Sequence, residues 1–80
     1  MKAITYSAAA RRSLRKLPAE VRARIADKLR VYAGSGSGDV KALAGRDGAR
    51  LRVGYYRVVF VESPTEIAVM QNGHRRDIYR

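Results

Sequence analysis

A small α+β domain is the fold the sequence predicts: two N-terminal helices packed on one face of a twisted antiparallel sheet, in the order β-α-α-β-β-β. Three observations predict it. Apolar residues recur at three- and four-residue spacing through the N-terminal half. From residue 49 onward the pattern changes to the two-residue alternation of strands. The connections between those later strands are too short for anything but antiparallel neighbours. Helices gathered on one side of such a sheet are what this segregated order builds.

Taken in order, "AITY" (3–6) is a short β-prone run ending at Ser7, a good N-cap for the helix formers of "AAARRSLRKL" (8–17). Pro18 interrupts that run and suits the first position of a second helix. Glu20 places an acid in its first turn, where the helix dipole favours one. "PAEVRARIADKLRVYA" (18–33) then runs to Gly34. Leu14, Leu17, Val21, Ile25, Leu29 and Tyr32 form one apolar face across the two helices, with Arg11, Arg12, Arg15, Lys16, Arg22 and Arg30 opposite. "GSGSGD" (34–39) is a flexible loop, and "VKALAG" (40–45) fits a helical turn or an edge segment. After the "RDG" turn come three strand-like runs: "ARLRV" (49–53), "YYRVVFVE" (55–62) and "EIAVMQN" (66–72). "GHRRDIYR" (73–80) closes the chain as a polar, basic segment.

With 80 residues the chain is expected to form one domain, 1–80, with a thin core. Cysteine is absent, so neither disulfides nor thiolate metal sites are available. No apolar run approaches membrane-spanning length, and "MKAITYSAAARR" lacks the apolar stretch of a secretion signal; the expected location is the cytoplasm. Seventeen Lys and Arg against seven Asp and Glu leave a net charge of +10. That excess strains the compact state and attracts polyanions, of which nucleic acid is the commonest for a small basic domain.

The stretch "RLRVGYYRVVF" (50–60) sharpens the point. A two-residue turn at Gly54-Tyr55 pairs Val53 with Tyr56, Arg52 with Arg57 and Leu51 with Val58. One face then carries Leu51, Val53, Tyr56, Val58 and Phe60; the other carries Arg50, Arg52, Arg57, Val59 and Val61. Two cations roughly 5 Å apart repel by about 0.8 kcal/mol in water and about 3 kcal/mol at an effective dielectric of 20. Opposed arginines are therefore a poor choice for stability alone. A phosphate between them converts the repulsion into charge-assisted, bidentate hydrogen bonds.

His74, Arg75, Arg76, Tyr79 and Arg80 cluster in the final segment. Histidine exchanges a proton near neutral pH, and tyrosine offers a hydroxyl and a ring on which a base can stack. If the segment folds back beside the arginine face, His74 and Arg75 join that site. The chain has one histidine, no P-loop, no nucleophile elbow, no zinc ligand set and no carboxylate cluster for Mg²⁺. The expectation is chemistry without a metal or cofactor, carried by positive charge, positioning and a proton-shuttling side chain.

"LRKLPAEVRARI", "LAGRDGARLRVGYYRVVF" and "GHRRDIYR", in that order and spacing, resemble the RelE/ParE superfamily of toxins from bacterial type II toxin–antitoxin systems over nearly the whole chain. Within it, RelE-like members cleave mRNA in the ribosomal A site, whereas ParE-like members inhibit DNA gyrase. Arg50 and Arg52 match the basic pair before the RelE hairpin, Tyr56-Arg57 the Tyr-Arg after it, Arg75 the arginine beyond the last strand and Tyr79 the near-terminal tyrosine. This set favours the ribonuclease branch. The resemblance implies an endoribonuclease with Arg57, Arg75, Tyr79 and His74 as catalytic residues, and Arg50, Arg52 and Arg76 on RNA phosphates. Implied partners are a cognate antitoxin, mRNA and the ribosome, with DNA gyrase as the alternative target. Some RelE members carry lysines where this chain has Arg50 and Arg52. Arginine does not give up its proton, which shifts the expected proton transfer to His74 or Tyr79.

Overall fold

A computed structural model describes residues 1–78. Strand β1 (Ala3–Tyr6) leads into helix α1 (Ala8–Arg15) and helix α2 (Ala19–Ser35). Strands β2 (Val40–Ala42), β3 (Ala49–Val53), β4 (Tyr56–Glu62) and β5 (Glu66–His74) follow, and a single helical turn, α3 (Arg75–Ile78), ends the described chain. The five strands form one sheet in the order β1-β5-β4-β3-β2. The α+β class and the helix pair match the sequence reading. The ambiguous "VKALAG" contributes an edge strand, and the sheet is mixed, because β1 runs parallel to β5. Short connections dictate antiparallel pairing only from β2 onward. After β1 the chain leaves through both helices and re-enters the sheet at its far edge.

Local chemistry sets the helix ends. Ser7 Oγ accepts the Ala10 N–H at 3.0 Å, satisfying one of the donors that α1 leaves unpaired. Pro18 lies one position earlier than expected, capping α2 from outside; its carbonyl accepts from Val21 and Arg22, both at 3.0 Å. At the other end Gly36, at φ 77°, donates to Tyr32 O at 2.8 Å.

Val21, Ile25, Leu29 and Ala33 line up along α2 and pack against Leu51, Val53, Val58, Phe60, Ile67 and Val69 of the sheet. Leu14, Leu17 and Tyr32 flank this core half-buried. Phe60 is fully enclosed and meets the Tyr32 ring at 5.4 Å between centroids. Burying a side chain of this size contributes about 1.5–3 kcal/mol. Helices α1 and α2 pack on this face, which leaves the opposite face of β3 and β4 to Arg50, Arg52 and Arg57.

A β-bulge interrupts the β4–β5 pairing. Val59 pairs with Gln71 but Phe60 pairs with Val69, so Met70 is an extra residue on β5. Met70 and Gln71 both lie on the open face, and Asn72 beyond them turns inward, its Nδ2 donating to Ala10 O at 3.0 Å.

Candidate nucleic-acid interface

The β3–β4 register is the one the sequence predicts: Arg52 pairs with Arg57, Leu51 with Val58 and Val53 with Tyr56. Gly54 holds φ 61°, while Tyr55 has a negative φ, the pattern of a type II′ turn whose first central position needs glycine. Lys41 on β2 pairs with Arg50 and so joins the same face. Asp39, Lys41, Arg50, Arg52 and Arg57 line a cleft of about 160 Å³, several times the roughly 30 Å³ of one water in the liquid.

Within this cleft Asp39 is the counter-charge, its Oδ2 lying 3.9 Å from Arg52 Nη1 with both side chains more than half exposed. An exposed pair at that separation contributes little. Among the described residues, one carboxylate and four cations line this cleft, an excess of positive charge. Arg57 is drawn toward the turn, where its Nη1 donates to Gly54 O at 2.8 Å and Tyr56 O at 2.9 Å. Those bonds hold the guanidinium in place and ease its repulsion from Arg52.

The C-terminal residues divide between the two faces. His74 pairs with Tyr56 and shares its side of the sheet; the rings meet edge-on at 5.5 Å, in a hollow also lined by Ser13, Lys16 and Leu17. The imidazole is therefore across the sheet from Arg52 and Arg57, not beside them as the fold-back reading expected. Its Nδ1 accepts the Arg76 N–H at 3.2 Å, so the neutral ring carries its proton on Nε2 and presents a donor. Gly73, the partner of Arg57, faces the open side, and α3 returns over it: a methyl on Gly73 would meet Ile78 Cδ1 at 3.7 Å.

Arg75 sits at the junction. Its N–H donates to Tyr55 O at 2.8 Å, and its guanidinium carbon lies 5.5 Å from the centre of the Tyr55 ring. Arg76 is exposed on the same turn. Tyr79 lies outside the described residues. Sequence reasoning missed Asp39, Lys41 and Tyr55. The signal for Lys41 was present, since reading "VKA" as a strand paired with β3 puts it opposite Arg50. Among the described residues no three His, Cys, Asp or Glu side chains gather as a metal site would require, and no helix is long and apolar enough to cross a membrane.

This architecture is found in solved RelE structures. The isolated RelE toxin of E. coli matches with a TM-score of 0.79 at 22% identity, over 92% of this chain and 84% of that one. A chain of the RelB-RelE antitoxin-toxin complex from Methanococcus jannaschii matches at 0.77 and 25% identity, over 94% of each. The archaeal RelE-RelB complex from Pyrococcus horikoshii gives 0.77 at 20% identity, over 92% of this chain and 94% of that one. No protein-family model matches the sequence, and no curated protein does. The chain is RelE-like in fold.

Proposed function

We propose that this chain, acting as one domain over residues 1–80, is the toxin of a type II toxin–antitoxin pair. In this reading it is a cytoplasmic, metal-independent endoribonuclease that cuts mRNA on the ribosome and so stops translation. One observation carries the reading: a RelE-like sheet whose open face gathers Arg50, Arg52, Arg57 and Lys41 with the Asp39 carboxylate. A phosphodiester is an anion that clustered guanidiniums suit, through charge-assisted and bidentate hydrogen bonds. The solved complexes that share the fold are named for a RelB antitoxin bound to RelE, which supports an antitoxin partner here.

The reaction in this reading is an internal transesterification. The RNA 2′-oxygen attacks the adjacent phosphorus, the bond to the 5′-oxygen breaks, and the products are a 2′,3′-cyclic phosphate and a 5′-hydroxyl. Arg57, Arg52 and Arg50 stabilise the charge that develops on the phosphoryl oxygens, and Arg75 and Arg76 extend the cationic surface around the hairpin tip. The guanidiniums cannot accept the 2′-proton; Asp39, whose carboxyl lines the cleft, is assigned that role. Tyr79 is the proposed donor to the departing 5′-oxygen, since His74 lies across the sheet from the cleft. Alignment of the message by the ribosome supplies the orientation that so sparse a site lacks.

Primer extension on transcripts from cells expressing the protein tests the proposal. Cuts within translated frames are expected, and Arg57→Ala is expected to abolish them while leaving the fold intact. Uncut transcripts together with blocked gyrase supercoiling would replace this reading with the ParE-like one.

A further inference from the structure

Tyr55 is 67% exposed at the second central position of the hairpin turn, where turn geometry asks for no aromatic ring. Its surroundings are nonetheless ordered. The Tyr55 carbonyl accepts the Arg75 N–H at 2.8 Å, which ties the tip to the start of α3. The His74 ring lies 6.3 Å away and within 16° of parallel, and the Arg75 guanidinium carbon is 5.5 Å from the Tyr55 centroid. On the other side of the same turn, Arg57 Nη1 donates to Gly54 O at 2.8 Å. A largely exposed aromatic ring thus stands at the hairpin tip, next in sequence to the arginine cleft, with the Arg75 guanidinium over it and the His74 ring near-parallel.

We propose that Tyr55 is a stacking platform for an unpaired RNA base, seating the nucleotide next to the phosphate held by Arg52 and Arg57. This deepens the RNA reading given above and rests on it. Single-strand binders combine a positive groove that follows phosphates with aromatic rings that take bases, and this tip supplies both within one turn. The cleft fixes the backbone without regard to sequence; the tyrosine sets where the neighbouring base lies, and so which phosphodiester enters the cleft.

The test compares binding of a short single-stranded RNA with that of an abasic chain of equal length, by fluorescence anisotropy on the full chain. The wild-type protein is expected to prefer the base-bearing RNA by about ten-fold, in line with one stacked base. Tyr55→Ala should erase that preference while keeping the salt dependence, and Tyr55→Phe should retain it. Arg52→Ala should weaken both ligands and reduce the salt slope. Because the chain has no tryptophan, Tyr55→Trp introduces a sole indole, whose emission should respond to the base-bearing RNA and not to the abasic chain. Equal binding of both RNAs by the wild-type protein, or an unchanged preference in Tyr55→Ala, overturns the inference. So does a Tyr55→Ala defect confined to binding a protein partner. Transcript cleavage is read separately, so a failed stack and a failed nuclease assignment give different results.

Discussion

On the helix-covered face of the β3–β4 hairpin, Leu51 stands opposite Val58 and both are buried; one rung away on the open face, Arg52 stands opposite Arg57. The two rungs share a backbone and differ in what they cost. The covered rung contributes hydrophobic stabilisation, whereas the open rung sets like charges against each other and is eased by Asp39 at 3.9 Å from one and backbone carbonyls at the other. The comparison teaches where function is held. Folding is secured by the side of the sheet that α2 covers, so the other side can keep residues chosen for a ligand at modest expense.

Substitutions on each side should separate these roles. Phe60→Ala, on the covered side, is expected to lose about 3–5 kcal/mol in urea denaturation, most of what a domain this small has. Arg57→Ala should lower cleavage by about 10²–10³-fold, the scale for removing one donor to developing charge, while urea stability stays level or rises as the opposition to Arg52 is relieved. A large stability loss in Arg57→Ala would break the comparison. Asp39→Asn sharpens it within the open face. Anisotropy should show tighter RNA binding as the negative charge leaves the cleft, and primer extension should show less cleavage; weaker binding would remove Asp39 from the assigned role. Ser7→Ala tests the frame that both faces share, and the lost N-cap should cost about 1 kcal/mol by thermal melting.

The smallest effect is expected at the sheet's corner. There Glu62 accepts from Lys2 and from Tyr32 Oη, the latter at 2.7 Å, tying the N-terminus and α2 to β4. The bond from Lys2, followed by that from Tyr32, holds the Glu62 carboxyl below its ordinary range. A depressed acid stabilises the fold above its unfolded pKa and loses that contribution as pH falls through the folded value. Stability should therefore decline on acidification below the usual carboxylate range, and Glu62→Gln should flatten that slope in pH-dependent melts. Tyr32 is shifted the opposite way, upward, first by its hydrogen bond to Glu62 and then by burial. Its contribution is present below the usual tyrosine range and fades as pH rises through the raised value.

Much of this arrangement could be read from residues alone, and the exceptions have physical causes. The hairpin register followed from Gly54 and the two-residue period, because slipping by one would have put Leu51 and Val58 in solvent. The helices followed from apolar spacing and from Ser7 and Pro18. Lys41 was obscured because a three-residue edge strand shows too little alternation to be told from a turn. The parallel placement of β1 depends on where the helices deliver the chain, a long-range matter that local pattern does not encode. The sequence reading brought His74 to the arginines through a terminal segment folded back beside them, but β5 itself runs on through His74 and its bulge decides the face. Ile67 and Val69 point inward, and strict alternation through Met70 would have sent Gln71 and Gly73 inward and His74 outward with Arg57.

The extra residue at Met70 is the feature that reverses this, and it makes the terminal segment sensitive to a kind of mutation other than exchange of one side chain for another. Deleting the single codon for Met70 removes the bulge and leaves every face as it is, with Gln71 outward and Asn72 and His74 inward, whereas deleting Gly73 beyond the bulge turns His74 to the arginine side. A one-residue change of length beyond the bulge is thus a route by which this scaffold can relocate its terminal imidazole without exchanging any arginine of the cleft.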